Sequence, residues 1–373
     1  MWPLLVLSLL NVLDGGAAKT ATSLDPATYS PSRTVIVLSQ NTQVFAADKP
    51  IGVIPPGSVL HFSKVHEKWL MVPRFGGWVF ADDVVPLENA VKHYTSLIEK
   101  QPSATPFLHR GIAHLQLEEL DQAQADFEEA IRRGTKDGAA YINLGNVLQQ
   151  RGLTQEALVN YSKGIEFSPD LVLSYIERST ILMEMKQFPE AAADLEKAIS
   201  LDPTSPEAYN NRGVLLQLQG RLEDSLKDFS KAIELFEKYP SAHANRGFAQ
   251  EQLGRYTAAL ADFETALVID PNSDEIVNDA AWLLATCPDV KIRNPARALA
   301  LASRACTATN RENGTYLDTL ATALAASGKY DEAIKVGEEA LERLKTDNQA
   351  VEVHARVELY RQKKPFVESV VKK

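Results

Sequence analysis

Bulky and small apolar residues recur at a spacing of 34 residues between Ala104 and Ser273, in five copies. Each copy places a bulky residue four positions before a small one, followed by alanine, then an aromatic residue or leucine, then a second small residue. This spacing predicts two helices per copy, in close contact where the small residue faces the aromatic one. In the second copy the five positions are Tyr141, Gly145, Ala157, Tyr161 and Gly164.

One helical hairpin cannot bury its apolar face alone, so we expect the copies to stack into a solenoid. The small residue of the first helix is Gly111, Gly145, Ser179, Gly213 and Gly247 in the five copies. This period and pattern resemble the tetratricopeptide repeat family. The resemblance implies a mainly α, non-enzymatic protein that binds a protein or peptide in a concave groove lined by the first helix of each unit.

Two further positions change together among the copies. Copies one, three, four and five carry arginine just before the small residue and aspartate sixteen positions later, whereas copy two has Leu144 and Asn160. We therefore predict that a guanidinium on the first helix pairs with a carboxylate on the second. The alternative is an anion-binding row of arginines, which the aspartates would neutralise. The pairs are Arg110–Asp126, Arg178–Asp194, Arg212–Asp228 and Arg246–Asp262.

The repeat pattern weakens after Ser273. Residues 274–346 predict two degenerate hairpins, the first interrupted by the proline-containing loop TCPDVKIRNP, and residues 347–373 predict a capping helix and a tail. The stretches AWLLATCPD, YLDTLATALAASGKYDEA and ELYRQKKPF resemble the C-terminal ends of exported bacterial repeat proteins.

Residues 33–87 change to short β-rich runs separated by Asn, Pro and Gly, which predict five strands in a small barrel. The order of a Pro-Gly turn, KWLMV and GWV resembles the bacterial SH3-like domain. Trp69 and Trp78 are candidates for a ligand groove in this barrel, although we expect at least one of them in its core. Residues 88–103 predict a connecting helix that docks the barrel onto the first full copy.

Residues 1–18 contain an apolar run of about twelve residues followed by small residues, which predicts a signal peptide cleaved after Ala18. The run is too short to span a bilayer, so we do not expect an integral membrane protein. A buried N-terminal helix is the alternative interpretation. Residues 19–32 have the composition of a linker. The sequence thus predicts export to the periplasm or the extracellular space.

The net charge of −10 lies on the helical part, because residues 33–87 carry five basic and four acidic side chains. Nucleic acid is not an expected partner, since binding phosphates needs a basic stripe. Cys306 occupies a core position of the repeat and is expected too far from Cys287 for a disulfide. No metal-ligand spacing, phosphate loop or nucleophile elbow is present. We therefore expect no metal, no cofactor and no catalytic residue.

The groove positions implied by the resemblance hold mostly amide side chains, which suit the backbone of an extended peptide because they both donate and accept hydrogen bonds. No lysine occupies them, so a grip on a C-terminal carboxylate is not expected. The alternative is an ordinary solvent-exposed face. The predicted groove residues are His109, Asn143, Asn146, Gln149, Gln150, Asn210, Asn211, Gln217, Asn245 and Glu251, with Ile112, Glu177, Thr180 and Gln252 in phase.

These features predict an exported bacterial interaction protein that binds an extended polypeptide in its concave groove. A rival hypothesis is a cell-wall module, in which the barrel holds peptidoglycan or another glycan and the helical array is a spacer.

Overall fold

The computed structural model describes residues 34–39, 42–46, 49–72, 76–344 and 347–369. The predicted signal peptide and linker, residues 1–32, lie outside the described residues. The chain divides into two compact units, Met1–Leu201 and Asp202–Lys373.

Among its described residues, the first unit contains eight short strands in two antiparallel sheets. The strands are β1 Thr34–Val37, β2 Thr42–Ala46, β3 Lys49–Ile54, β4 Val59–His61, β5 Lys64–His66, β6 Trp69–Val72, β7 Gly77–Phe80 and β8 Val84–Pro86. One sheet has the order β4-β1-β8 and the other β3-β2-β7-β6-β5.

This β domain contains more strands than the five predicted. The apolar run from Gly52 to Val65 is divided among β3, β4 and β5, because the chain turns at Pro55–Gly57 with Gly57 at φ +79°. The two sheets enclose a core of aliphatic and aromatic side chains that includes Val35, Leu60 and Leu70.

Helix α1, Leu87–Lys100, follows the β domain directly and packs against it. Ala90 and Tyr94 of this helix are buried together with Ile36 of β1, Val85 of β8 and Ala113 of the next helix. Helix α1 thus shares one buried cluster with the β domain and with the helix that follows.

Six further helices complete the first unit as three hairpins: α2 Ala104–Gln116, α3 Leu120–Arg132, α4 Gly138–Gln150, α5 Thr154–Phe167, α6 Val172–Glu184 and α7 Phe188–Leu201. The second unit contains α8 Pro206–Leu218, α9 Leu222–Leu235, α10 Pro240–Gln252, α11 Tyr256–Ile269, α12 Asp274–Thr286, α13 Pro295–Ala308, α14 Gly314–Ala326, α15 Tyr330–Arg343 and α16 Asp347–Arg361. The predicted fold class, mainly α with a small β domain in front, is confirmed.

Within each hairpin the small residue of the first helix touches the large residue of the second. A Cβ atom added to Gly111, Gly145 or Gly213 would lie 2.6 Å from a ring carbon of the aromatic residue sixteen positions later. In the third hairpin the small residue is Ser179, and Leu195 replaces the ring. Serine in place of glycine thus accompanies leucine in place of an aromatic ring, so the combined volume at the seam stays similar, as close packing requires.

The predicted Arg–Asp pairs form in all four hairpins that carry them. Nε and Nη2 of each arginine donate to the two carboxylate oxygens over distances from 2.6 to 2.8 Å. The aspartate side chains are nearly buried, at 7 to 9% exposure. In the second hairpin Leu144 is buried instead, and Asn160 donates to Glu156 O of its own helix.

Both cysteines lie in the core of the second unit, as free thiols. Cys306 packs with Ala302, Leu317 and Leu320 at the position predicted from the repeat. Burial raises the pKa of each thiol to about 11, so both are protonated at neutral pH.

Candidate functional site

One position of the first helix, two residues before the small one, is polar in six successive hairpins. Its occupants are spaced by 34 residues: His109, Asn143, Glu177, Asn211, Asn245 and Asp279. We call this set the polar column. The first three residues belong to the first unit and the last three to the second.

His109 contacts the β domain and does not resemble the amide positions of the polar column. Its ring lies 5.4 Å from that of Tyr94, and a Cβ atom on Gly57 would lie 2.6 Å from His109 Cδ2. Burial lowers the pKa of His109 to about 4, which keeps the ring neutral. The structure thus makes His109 a packing residue between α2 and the turn that precedes β4.

Two predicted groove residues of the second hairpin serve the helix seam. The Tyr161 hydroxyl lies 2.7 Å from Asn146 Oδ1 and 2.9 Å from Gln149 Oε1. Asn143 Nδ2 donates to Ala139 O of its own helix, at 2.9 Å. Gln150 is exposed. Asn146 and Gln149 therefore stabilise the fold of this hairpin, a role that sequence reasoning did not assign to them.

Glu177 continues the polar column in the third hairpin. Burial raises the pKa of its carboxyl to about 7. Near neutral pH it therefore populates both protonation states.

The amides of the second unit form a chain between neighbouring hairpins. Asn245 Nδ2 donates to Asn210 Oδ1 at 3.0 Å, and Asn210 Nδ2 donates to Asn211 Oδ1 at 3.3 Å. Asn210 is buried, so Asn245 contributes a hydrogen bond that holds two first helices together. Gln217 differs, because its buried Nε2 has no hydrogen-bond partner within the described ranges.

A cavity of about 240 Å³ opens between the first helices α10, α12 and α14 and the capping helix α16. We call it the α12 cavity, because α12 contributes its central wall. Its lining residues are Phe248, Glu251, Asn278, Asp279, Trp282, Thr315, Asp318, Thr319, Leu344, Gln349, Glu352, Val353 and Arg356.

Two carboxyl groups of the α12 cavity are held in an unfavourable setting for charge. Burial, with a further contribution from Glu368 and Asp279, raises the pKa of Glu251 to about 8. Burial, followed by Glu275, raises the pKa of Asp279 to about 7. Each carboxyl group is therefore partly or largely protonated at neutral pH.

Another carboxyl group of the α12 cavity, that of Asp318, has a basic partner. Arg356 donates to Asp318 Oδ1 at 3.1 Å and to Oδ2 at 2.8 Å. The same guanidinium carbon lies 5.3 Å from the centre of the Trp282 ring, within cation–π range. Arg356 thus links α16 to both α14 and α12.

The C-terminal tail, residues 362–369, lies along α12 beside this cavity. Phe366 packs on Trp282 with ring centres 5.9 Å apart. Glu368 N donates to Thr286 O at 2.9 Å, and Glu368 Oε1 accepts from Trp282 Nε1 at 2.7 Å. A non-helical segment of the chain is therefore bound there through one aromatic side chain, one backbone group and one carboxylate.

The two tryptophans of the β domain lie outside its core, which corrects the expectation that at least one is buried there. Along β6 and β7 the alternate residues Leu70, Val72 and Val79 point inward, so Trp69 and Trp78 lie half-buried on the opposite face. This outer face also carries the rings Phe45 and Phe80, each within 5.3 Å of the Trp69 ring centre, and Met71 opposite Trp78.

Sequence reasoning found Glu251 but missed Asp279 and Trp282. The 34-residue period could have identified both, because Asp279 lies 34 positions after Asn245 and Trp282 lies 34 positions after Phe248. The small residue continues in phase as Ala281. The groove assignment ended at Ser273 because the loop after Cys287 interrupts the pattern of the second helix.

Four models of one repeat family match the chain. Those described as tetratricopeptide repeat match residues 108–170, 204–270 and 313–346, and one described as TPR repeat matches residues 180–220. A curated relative, the small glutamine-rich tetratricopeptide repeat-containing protein 2 of Mycosarcoma maydis, is 37% identical over 81 residues. That match covers 21% of this chain and spans 23% of the relative's length.

Solved structures share the fold. The Cut9–Hcn1 APC/C hetero-tetramer matches with a TM-score of 0.58 and 19% identity over 64% of this chain and 46% of that chain. A tetratricopeptide repeat protein from Parabacteroides merdae gives 0.52 and 19% over 72% and 99%, and yeast Tom70 gives 0.51 and 18% over 74% and 59%. This chain is a tetratricopeptide repeat protein with an N-terminal β domain.

Tetratricopeptide repeat proteins are in general protein-interaction scaffolds and are typically non-enzymatic. Within the ranges that the structure describes, no helix combines the length and apolarity needed to cross a membrane. In the same ranges, no three His, Cys, Asp or Glu side chains are grouped as a metal site would require.

Proposed function

We propose that this protein is a scaffold that binds an extended polypeptide along the first helices of its tetratricopeptide repeats. The proposed surface in the second unit consists of the α12 cavity together with the face of α12 that carries Trp282. The surface in the first unit follows Asn143, Gln150 and Glu177. Binding requires no cofactor and no catalysis.

The observation that supports this proposal most is the position of the C-terminal tail. The surface around Trp282 already binds a non-helical segment of the chain, using an indole N–H donor, a backbone carbonyl and an aromatic contact. These are the types of contact by which grooves bind extended peptides. A partner segment of similar chemistry would compete with the tail for this surface.

Unpartnered polar atoms on the first helices of the second unit add support. Gln217 Nε2, Glu251 Oε1 and Asn278 Oδ1 are buried without a hydrogen-bond partner in the described part of the chain. Such atoms cost stability unless a bound molecule or water pairs with them. A peptide backbone supplies both donors and acceptors.

The test is selection of peptides from a random display library on the full chain, followed by affinity measurements on Trp282→Ala. We expect this change to lower the affinity for the selected peptides at least about tenfold, because truncating a tryptophan at the centre of an interface commonly has an effect of this size. Trp69→Ala in the β domain is the matched control and should leave peptide affinity unchanged. Combined Phe366→Ala and Glu368→Ala should strengthen binding, because the tail no longer competes.

Asn143→Ala together with Gln150→Ala tests the first unit in the same assay. Asn245 is unsuitable for this purpose, since its loss also breaks the bond to Asn210. Peptides that bind equally well to Trp282→Ala and to the double variant would exclude the groove as the binding surface.

A second candidate function is cell-wall binding by an SH3-like β domain. The outward-facing rings of Phe45, Trp69 and Trp78 favour it, because the apolar C–H face of a sugar ring can pack on an aromatic ring. Sedimentation of the chain with purified peptidoglycan tests it. Retention that is lost in Trp69→Ala and Trp78→Ala, and kept in Trp282→Ala, would support this candidate.

Export also stays a prediction, since residues 1–18 lie outside the described residues. N-terminal sequencing of the protein from a bacterial envelope fraction should find a chain that begins near Lys19. An intact Met1 in the cytosolic fraction would contradict export.

A further inference from the structure

The α12 cavity contains hydrogen-bond acceptors that nothing in the described part of the chain satisfies. Glu251 and Asn278 are each only 6% exposed, and Glu251 Oε1 and Asn278 Oδ1 lack partners. The Asn278 side chain also hydrogen-bonds the Asp279 carboxyl group and lowers the pKa of that carboxyl, which assigns its NH₂ as the donor and its oxygen as the unpaired acceptor. Asn278 Oδ1 therefore calls for a donor, and Glu251 Oε1 calls for one when its carboxyl group is ionised.

The charges of the α12 cavity favour a positively charged donor. Arg356 is paired with Asp318, so it does not neutralise Glu251 or Asp279. Neither of these two carboxyl groups forms an ion pair with any residue that the structure describes. A buried carboxyl without a basic partner is costly unless a cation or a proton accompanies it.

Aromatic side chains border the same space. Phe248 is 44% exposed although it is large and apolar. Trp282 already holds one guanidinium near its ring, that of Arg356. Rings of this kind attract cations and pack on the methylene stem of a long basic side chain.

The size of the α12 cavity matches one such side chain. Its volume of about 240 Å³ equals the liquid volume of about eight water molecules. This is too small for a folded partner and suited to one long side chain of a peptide that lies across the cavity mouth.

We propose that the α12 cavity is a specificity pocket for a lysine or arginine side chain of the bound polypeptide, with Glu251, Asp279 and Asn278 Oδ1 as acceptors. This inference rests on the proposed function, since it concerns one side chain of the same peptide. The ligand class is an extended peptide that carries a basic residue. This agrees with the absence of lysine from the predicted groove positions, which makes a C-terminal carboxylate an unexpected ligand.

Binding of the cation should release protons near neutral pH, since the bound charge favours the ionised carboxylates. The pKa values of Glu251 and Asp279, about 8 and about 7, fall as the complex forms. Affinity should therefore rise between pH 6 and pH 8. The ionisable groups around the two carboxyls are Glu368 from the tail, Glu275 from α12, Cys287 just after it, Tyr316 and Asp318 from α14, and Glu352 and Arg356 from α16.

The experiment uses the full chain and an array of octapeptides with random flanks, each printed with Lys, Arg, Met or Glu at the centre. We expect the Lys and Arg versions to bind at least about tenfold more tightly than the Met version, as charge-assisted hydrogen bonds imply. The preference should fall below about twofold in the Glu251→Gln, Asp279→Asn double variant. The control Asp331→Asn removes an exposed charge outside the cavity and should keep the preference.

Each outcome separates this inference from the proposed function. Peptides that bind in a Trp282-dependent way without any preference for Lys or Arg would overturn the pocket and leave the groove. No binding of any peptide would overturn both. A free amine such as spermidine is the remaining probe. If it binds through Glu251 while the central peptide residue has no effect, the claim that the cation belongs to a peptide side chain is overturned. Calorimetry in buffers of different ionisation enthalpy should detect proton release with the Lys and Arg versions and none with the Met version.

Discussion

The seams inside the hairpins and the α12 cavity both bury carboxyl groups, but they treat them differently. In the seams Asp126, Asp194, Asp228 and Asp262 each accept two hydrogen bonds from one arginine of the same hairpin. In the α12 cavity Glu251 and Asp279 have no basic partner within the described ranges, and their pKa values rise to about 8 and about 7.

This difference separates residues that stabilise the fold from residues that wait for a ligand. A carboxylate with a bidentate partner is satisfied within the chain and offers nothing to another molecule. A buried carboxyl group without one lowers the stability of the free protein, and a ligand can recover that loss. The absence of a basic partner for a buried carboxyl group therefore indicates the site better than the mere presence of acidic residues, which occur throughout the helices.

The largest expected effect is the pH dependence of stability that Glu251 causes. Its folded pKa of about 8 lies above the ordinary value of 4.5, so the folded state keeps a proton that the unfolded state loses. Stability is thus fully present below pH 4.5 and is lost as pH rises toward 8, by at most about 1.4 kcal/mol per pH unit. Relative to the wild type, Glu251→Gln should gain thermal stability progressively between pH 5 and pH 8.

Scanning calorimetry of both proteins at several pH values measures this difference. Glu342→Gln, an exposed change of the same kind on α15, should follow the wild type at every pH. A constant difference between Glu251→Gln and wild type would show that Glu251 is ionised throughout, and the contrast with the seams would fail.

The second effect concerns the seam pairs. Asp228→Ala removes the bidentate carboxylate partner of Arg212, whose side chain is only 31% exposed. We expect a loss of about 3 kcal/mol in the free energy of unfolding, as for other broken pairs that are largely buried. Asp224→Ala removes an exposed carboxylate from the same helix and should cost much less.

Urea unfolding followed by circular dichroism compares the two variants. Similar losses for Asp228→Ala and Asp224→Ala would mean that the seam pair contributes no more than a surface ion pair. The distinction between satisfied and unsatisfied carboxyl groups would then lose its energetic basis.

The smallest effect tests whether the seams pack by size. Gly213→Ser places atoms against the Phe229 ring and should cost about 2 kcal/mol through overpacking. Phe229→Leu should relieve part of this cost, because the third hairpin combines Ser179 with Leu195. The double variant should therefore be more stable than the sum of the single losses by about 1 kcal/mol.

The same unfolding assay completes this double-mutant cycle. Strict additivity of the two changes would contradict direct contact between the two positions. It would also remove the packing explanation for the exception in the third hairpin.

The 34-residue period was sufficient to predict the hairpins, the seam contacts and the Arg–Asp pairs. These features depend on residues within one hairpin, whose geometry is set by helical periodicity and by local size matching. The joint absence of Arg and Asp in the second hairpin, at Leu144 and Asn160, carried enough information to pair the two positions correctly. The small β domain was also predicted, although its strands were counted too few because turns divide the apolar run after Gly52.

The state of the groove residues depended on the tertiary structure. The period placed Asn146, Asn245 and Glu251 on one face, yet Asn146 accepts from Tyr161, Asn245 donates to Asn210, and Glu251 Oε1 has no partner in the described ranges. The position of a residue in the repeat determines the helix face on which it lies, whereas its hydrogen bonds depend on the distances to other helices and on burial. The α12 cavity was outside the reach of the sequence for the same reason, since four separate helices enclose it.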